Sequence, residues 1–270
     1  MKKTLSQSSF LIALLLLLGP VLSAAQGVER DVDGSPLPPG LKYRVFVHHP
    51  HPGKPAATSP SCTATTNDQV ATYGNAGWYL TGPRTYYLNS ATVPSSVGAA
   101  NAVSAINASW ATWNAADPNI VVSSGGNTAV KRAKFDGIHL IAWGSVPNTA
   151  IAVTYTWYYT ATGAQAESDT IFNSRLKWSH TPYSTDCGGV LGTYDVGNIA
   201  VHEFGHWVGL DDLYGAAEKD LSMYGYGFTK ELKKDTLGLG DALGAVRAAG
   251  QASHEGGDFL LLRGDRRNDS

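Results

Sequence analysis

Apolar residues recur at steps of three and four through Val97, Ala100, Val103, Ile106, Trp110 and Trp113. This period predicts an amphipathic helix of about five turns, and Asp117-Pro118 supplies its stop. Before it, Thr85 to Asn89 (TYYLN) has the β-branched and aromatic content of a strand. After it come strand candidates at Ile120 to Ser123, Gly137 to Trp143 and Ala150 to Tyr159, and a shorter one at Ser168 to Phe172. A second helix is expected from near Asn198 to Gly209. A last one is expected over Thr236 to Ala249, where apolar spacing stays helical despite the glycines. No internal repeat is visible. This order suits an α+β layer structure with one mixed sheet.

The flanking segments read differently. Lys2 and Lys3 precede an unbroken apolar run from Phe10 to Leu18, then Gly19-Pro20 and the small residues Ser23-Ala24-Ala25. Residues 1–25 are therefore expected to be a secretory signal peptide. The run is shorter than the roughly 20 residues that a membrane anchor requires. Residues 26–75, rich in Pro and Gly, read as a linker or pro-segment without a core of its own, with order expected from near Trp78. Within that stretch His48, His49 and His51 have metal-binding chemistry, but an exposed polar stretch between prolines is the favoured reading. Residues 76–250 form the expected main domain, and 251–270 a polar tail broken only by Phe259 to Leu262. Its Arg263-Gly264-Asp265, a tripeptide known from cell adhesion, is read as chance in a charged tail.

Composition narrows the function. The 270 residues are 43% hydrophobic and only 16% charged, which argues against disorder. With 20 Lys and Arg against 22 Asp and Glu, no basic footprint for nucleic acid is present. Cys62 and Cys187 make an even pair in an exported chain, so one disulfide is expected. It would close a loop of about 125 residues, worth on the order of 4–5 kcal/mol. Plugging of a metal site by Cys62 is disfavoured, because Ser61-Cys62-Thr63-Ala64 carries no basic clamp.

The richest stretch is His202-Glu203-Phe204-Gly205-His206-Trp207-Val208-Gly209-Leu210-Asp211-Asp212. On a helix His202 and His206 project one turn apart from one face, a spacing that chelates one zinc ion with Glu203 beside it as general base. Random placement of the pattern in this composition has odds of about 0.5%. Trp207 is read as packing. Gly209 can end the helix in the left-handed conformation and turn the chain back, which brings Asp212 under the metal as third ligand. Asp211 is its neighbouring rival. Glu231, with Asp235 in E-L-K-K-D, is the alternative from another class of zinc peptidase, though its lysine neighbours read as a solvated face. Met223, the one internal methionine, follows Asp212 by eleven residues in Ser222-Met223-Tyr224-Gly225-Tyr226.

Together, His202 through Asp212 and Met223 resemble the metzincin pattern. The chain is similar to the matrixin-like branch of secreted bacterial proteins, with Asp as third ligand as in the snapalysin group. Trp78 with TYYLN, the helix ending ASWATWN, Ala166 to Asn173 (AESDTIFN) and Lys234 to Leu239 (KDTLGL) fit matrixin order. The resemblance implies a metzincin-like twisted mixed sheet with a long packing helix, an active-site helix and a C-terminal helix. It implies a secreted zinc endopeptidase and, since matrixins often bind structural calcium, a further cofactor to which Glu167, Asp169 and Asn173 could contribute. It further implies a methionine turn at Met223, a specificity pocket at Tyr224 and Tyr226, and a polypeptide substrate extended along an edge strand within Ala150 to Tyr155. A monomer without a membrane anchor is expected. Two departures stand out. Most matrixins have His where this chain has Asp212, and a carboxylate makes zinc a weaker Lewis acid. Residues 26–62 also lack the cysteine-containing sequence with which matrixin pro-segments block zinc. The alternative from outside enzymes is a secreted zinc-containing binding or adhesion module without turnover.

Overall fold

Seven strands form the main sheet of the protein, whose computed structural model describes residues 28–53, 68–147, 149–182 and 188–255. In chain order the strands are β1 (Leu41–Pro50), β2 (Gly74–Asn75), β3 (Arg84–Leu88), β4 (Val122–Asn127), β5 (His139–Gly144) and β6 (Ala152–Tyr159). They continue with β7 (Gln165–Asn173), β8 (Trp178–Ser179), β9 (Tyr194–Asp195), β10 (Leu210–Asp211) and β11 (Tyr226–Gly227). The helices are α1 (Ala99–Ala116), α2 (Val196–Val208) and α3 (Leu239–Glu255).

The sheet order is β11-β1-β6-β7-β5-β3-β4. The chain is thus mixed α/β, and most neighbours in the sheet run parallel. Strand β6 is antiparallel to both β1 and β7, whereas β5 runs parallel to β3 and β7. Strand β7 is central and almost wholly buried, which explains why it reads as a short strand in sequence: its middle holds Glu167, Ser168, Asp169 and Thr170. These polar groups have partners. Glu167 accepts from the Asp136 and Gly137 amides, and Asp169 from those of Lys134 and Leu140.

Helix α1 buries Ala102, Ala105, Ile106, Ser109, Trp110 and Trp113. Val103 lies at the margin of that face and Ala100 beyond it, so the expected apolar stripe is rotated slightly. The Trp110 ring stacks on Phe204 of α2 at 4.2 Å, and Trp113 Nε1 donates to the Val201 carbonyl at 2.9 Å. These contacts fix α2 against α1 on one side, while its other side faces the sheet.

The largest departure from the sequence reading is β1. Order begins well before Trp78, and Leu41 to His48 pair residue by residue with Tyr159 to Ala152. The Pro and Gly clusters that read as a linker bracket this strand: Pro38-Pro39-Gly40 precede it, and Pro50 ends it. His48 is correspondingly buried, at 1% exposure, and not part of an exposed polar stretch. Helix α3 starts at Leu239 and runs to Glu255, into the expected polar tail. The expected signal peptide, the Cys62–Cys187 pair and Arg263-Gly264-Asp265 lie outside the described residues. Among the described residues no helix is long and apolar enough to cross a membrane.

Candidate metal centre

Helix α2 carries the two histidines and is defined at both ends by its own sequence. Asp195 caps its start, accepting from the Gly197 and Asn198 amides at 2.9 and 3.2 Å, and the helix begins at Val196, two residues before the expected start. Gly209 ends it at φ 116°, in the left-handed region, where a Cβ would also collide with the Trp78 carbonyl. The turn sends the chain back, and Asp212 meets the histidines. Its Oδ1 lies 3.2 Å from His202 Nε2 and 3.6 Å from His206 Nε2.

These three atoms are buried and have no hydrogen-bond partner among the described residues. The outer imidazole nitrogens, in contrast, are held: Nδ1 of His202 is 2.8 Å from the Ser222 carbonyl and Nδ1 of His206 is 2.9 Å from that of Leu210. A carbonyl only accepts, so each Nδ1 carries the proton and each Nε2 lone pair points at Asp212. Burial pushes the His202 imidazole down and His206 to about 4, which keeps both neutral. Burial opposes ionisation of the Asp212 carboxyl, and the positive charge of Lys234 is among the groups that favour it. Two neutral imidazoles and one carboxylate, with unpartnered converging atoms, fit a divalent metal ion.

Glu203 is fully buried beside this cage. Its Oε1 is 3.1 Å from His48 Nδ1, and its Oε2 accepts from the Thr154 hydroxyl at 2.6 Å. Burial raises it to about 8; the Thr154 hydroxyl works against that shift, and the charge of Asp212 adds to it. His48, His202 and Glu203 form a second group whose ligand atoms lie within 4.8 Å of one another. Both groups could hold a metal ion, and they share His202.

Met223 sits in a turn beneath α2. A Cβ on Gly205 would collide with Met223 Sδ and crowd Trp113, so the helix is notched where the methionine fits. Asp241 of α3 holds the turn by accepting from the Ser222 and Met223 amides at 2.7 and 3.0 Å. The carbonyl orienting His202 belongs to this same turn, at Ser222.

The remaining sequence candidates divide. Asp211 stands outside the cage, bound by both its oxygens to Arg44 of β1 at 2.9 Å. Glu231 is buried and not on a solvated face, yet it serves the fold, accepting from Asn198 Nδ2 and the Phe228 amide. Tyr224 and Tyr226 turn their carbonyls towards Lys234 Nζ at 2.7 and 2.8 Å, and their rings pack 5.6 Å apart. Trp207 is packing, as expected, with Nε1 donating to Thr170. Of the residues considered for calcium, Glu167 and Asp169 accept from backbone amides, and Asn173 Nδ2 donates to the Ala150 carbonyl.

Four neighbours escape sequence reasoning, Phe46, Thr154, Tyr214 and Lys234, while His48 is noted there for its metal-binding chemistry but read as exposed. Phe46 stacks on His206 at 3.8 Å, and His48 on His202 at the same distance. Tyr214 reaches Asp212 Oδ2 at 3.3 Å. Lys234, buried between Lys233 and Asp235, is 3.2 Å from His48 Nε2. For β1 a signal existed, since Tyr43, Val45, Phe46 and Val47 are strand formers. For Thr154 and Lys234 only the tertiary fold carries it.

Comparison with protein-family models finds no match, and comparison with curated proteins finds none either.

Proposed function

We propose that this protein is a secreted zinc-dependent endopeptidase of the metzincin type. The observation that carries the reading is the convergence of the unpartnered His202 Nε2, His206 Nε2 and Asp212 Oδ1 beside the buried Glu203. Zinc is the metal that two imidazoles and a carboxylate on this spacing favour. Bound there, it supplies Lewis acidity towards a water and towards the carbonyl of a scissile peptide bond.

The protein's own groups do the rest. Glu203, raised towards neutrality by burial, takes a proton from the attacking water and returns it to the departing amine. Thr154 holds one carboxyl oxygen of Glu203 at 2.6 Å, and His48 Nδ1 stands 3.1 Å from the other. Ser222 and Leu210 hold the imidazoles in the tautomer that leaves Nε2 free. Met223 fills the notch at Gly205 and keeps the Ser222 carbonyl in place.

A second reading has its own observation: Glu203 is enclosed together with His48 and His202, as in a closed structural metal site of a binding module. Casein cleavage by the metal-loaded protein, with and without a chelator and beside Glu203→Gln, separates the two. The peptidase reading expects chelator-sensitive cleavage that falls by on the order of a thousandfold or more in the variant, which still holds metal. Loss of metal in Glu203→Gln, or unchanged cleavage, would contradict it.

A further inference from the structure

Strand β1 lies where an extended peptide would dock on this sheet. It runs antiparallel to β6 through eight residue pairs, and its end runs parallel to β11, with His49 opposite Tyr226 and Pro50 opposite Gly227. A peptide held by backbone pairing presents alternate side chains to the surface beneath. Here Arg44, Phe46 and His48 face inward in turn. Arg44 binds Asp211, Phe46 covers His206, and His48 covers His202 and meets Glu203.

His48 also has a fitted seat. Its Nε2 meets Lys234 Nζ, a buried ammonium that donates in addition to the Tyr224 and Tyr226 carbonyls. At Gly227 a Cβ would press on His48 Nε2 at 3.1 Å and on Ile151 Cδ1 at 2.7 Å, so glycine leaves room for the ring. Upstream, Asp31 accepts from Trp157 Nε1 at 2.9 Å and from the Phe135 amide at 2.8 Å, and Leu37 and Leu41 pack on Trp157. With β1 in place Glu203 is wholly enclosed.

We propose that residues 28–53 are a built-in occupant of the peptide groove between β6 and β11, and that they block the centre until they leave. Lys234 at the end of the His48 seat selects an occupant whose side chain offers a hydrogen-bond acceptor. The proposal rests on the peptidase reading only for the nature of the incoming ligand, an extended polypeptide.

The test uses the whole folded protein with the recognition sequence of a specific protease inserted between Gly53 and Asp68. Cutting there removes the tether and leaves β1 held by its contacts alone. The fragment should then dissociate on dilution while the remainder keeps its near-ultraviolet circular dichroism. Casein cleavage should rise by on the order of a hundredfold, because a tethered occupant acts at roughly millimolar effective concentration. A synthetic peptide of residues 28–53 should rebind and suppress cleavage. The same peptide with His48→Ala should bind about tenfold or more weakly, having lost buried hydrogen bonds to charged groups. A fragment that stays until the remainder unfolds, a remainder that unfolds on losing it, failure of the peptide to rebind, or casein cleavage already equal before the cut would each overturn the proposal. Release and rebinding without casein cleavage in any state would uphold the occupied groove and overturn the peptidase reading instead.

Discussion

Lys234 and Asp235 stand side by side in a 3-10 turn, Lys233–Asp235, and burial acts on both. Lys234 is pushed down by desolvation, against which Glu231 and Asp212 support its charge. Asp235 is pushed up to about 8, first by burial and then by the charges of Asp195 and Glu231. An acid whose folded value is raised stabilises the fold fully below its unfolded value and loses that contribution as pH rises through the folded one. The unfolded value is 3.8, so the window runs from about pH 4 to about pH 8. Urea unfolding across that range should show the native protein losing stability relative to Asp235→Asn as pH rises; a difference that does not change with pH would contradict the assignment. At this scale the centre was only partly legible. His202, Glu203, His206 and Asp212 are legible because helix period and a glycine stop fix them within eleven residues. Lys234 was not, since three lysines near Glu231 look solvated until Asn198 Oδ1 is seen to hold the Lys234 amide at 2.8 Å and draw the turn inward.

Helix α2 and the turn at Met223 are fitted elements, and Gly205 is where they meet. Glycine inside a helix costs about 1 kcal/mol relative to alanine. Here the methionine sulfur and the Trp113 ring occupy the space of a side chain, so the clash outweighs the propensity gain. Gly205→Ala should therefore destabilise the protein by about 1–3 kcal/mol in urea unfolding. A gain in stability would show that Met223 is not seated there. Legibility at this scale followed period and punctuation. Helices α1 and α2 and strands β3, β5 and β6 fall close to their expected spans, because each has a clear period or a run of strand formers. Strand β1 did not, because the prolines that end it read as the texture of a linker. Strand β7 read short, because its buried acids find backbone donors that only the folded loop before β5 supplies.

At the scale of the molecule, four separated segments build one centre. Helix α2 gives the imidazoles, the chain after Gly209 gives Asp212, the methionine turn orients His202, and β1 covers the whole. The mixed sheet with flanking helices followed from the order of elements, while the antiparallel pairing of β1 with β6 depends on contacts more than a hundred residues apart. The central claim is that His202, His206 and Asp212 hold one metal ion and that Glu231 does not. Its most direct test is metal per chain by mass spectrometry after loading with zinc, for the native protein, Asp212→Ala and Glu231→Ala. The expected result is one zinc per chain in the native protein and in Glu231→Ala, with affinity in Asp212→Ala lowered by on the order of a hundredfold or more. A native protein that takes up no zinc, or zinc that survives Asp212→Ala and is lost in Glu231→Ala, would contradict it.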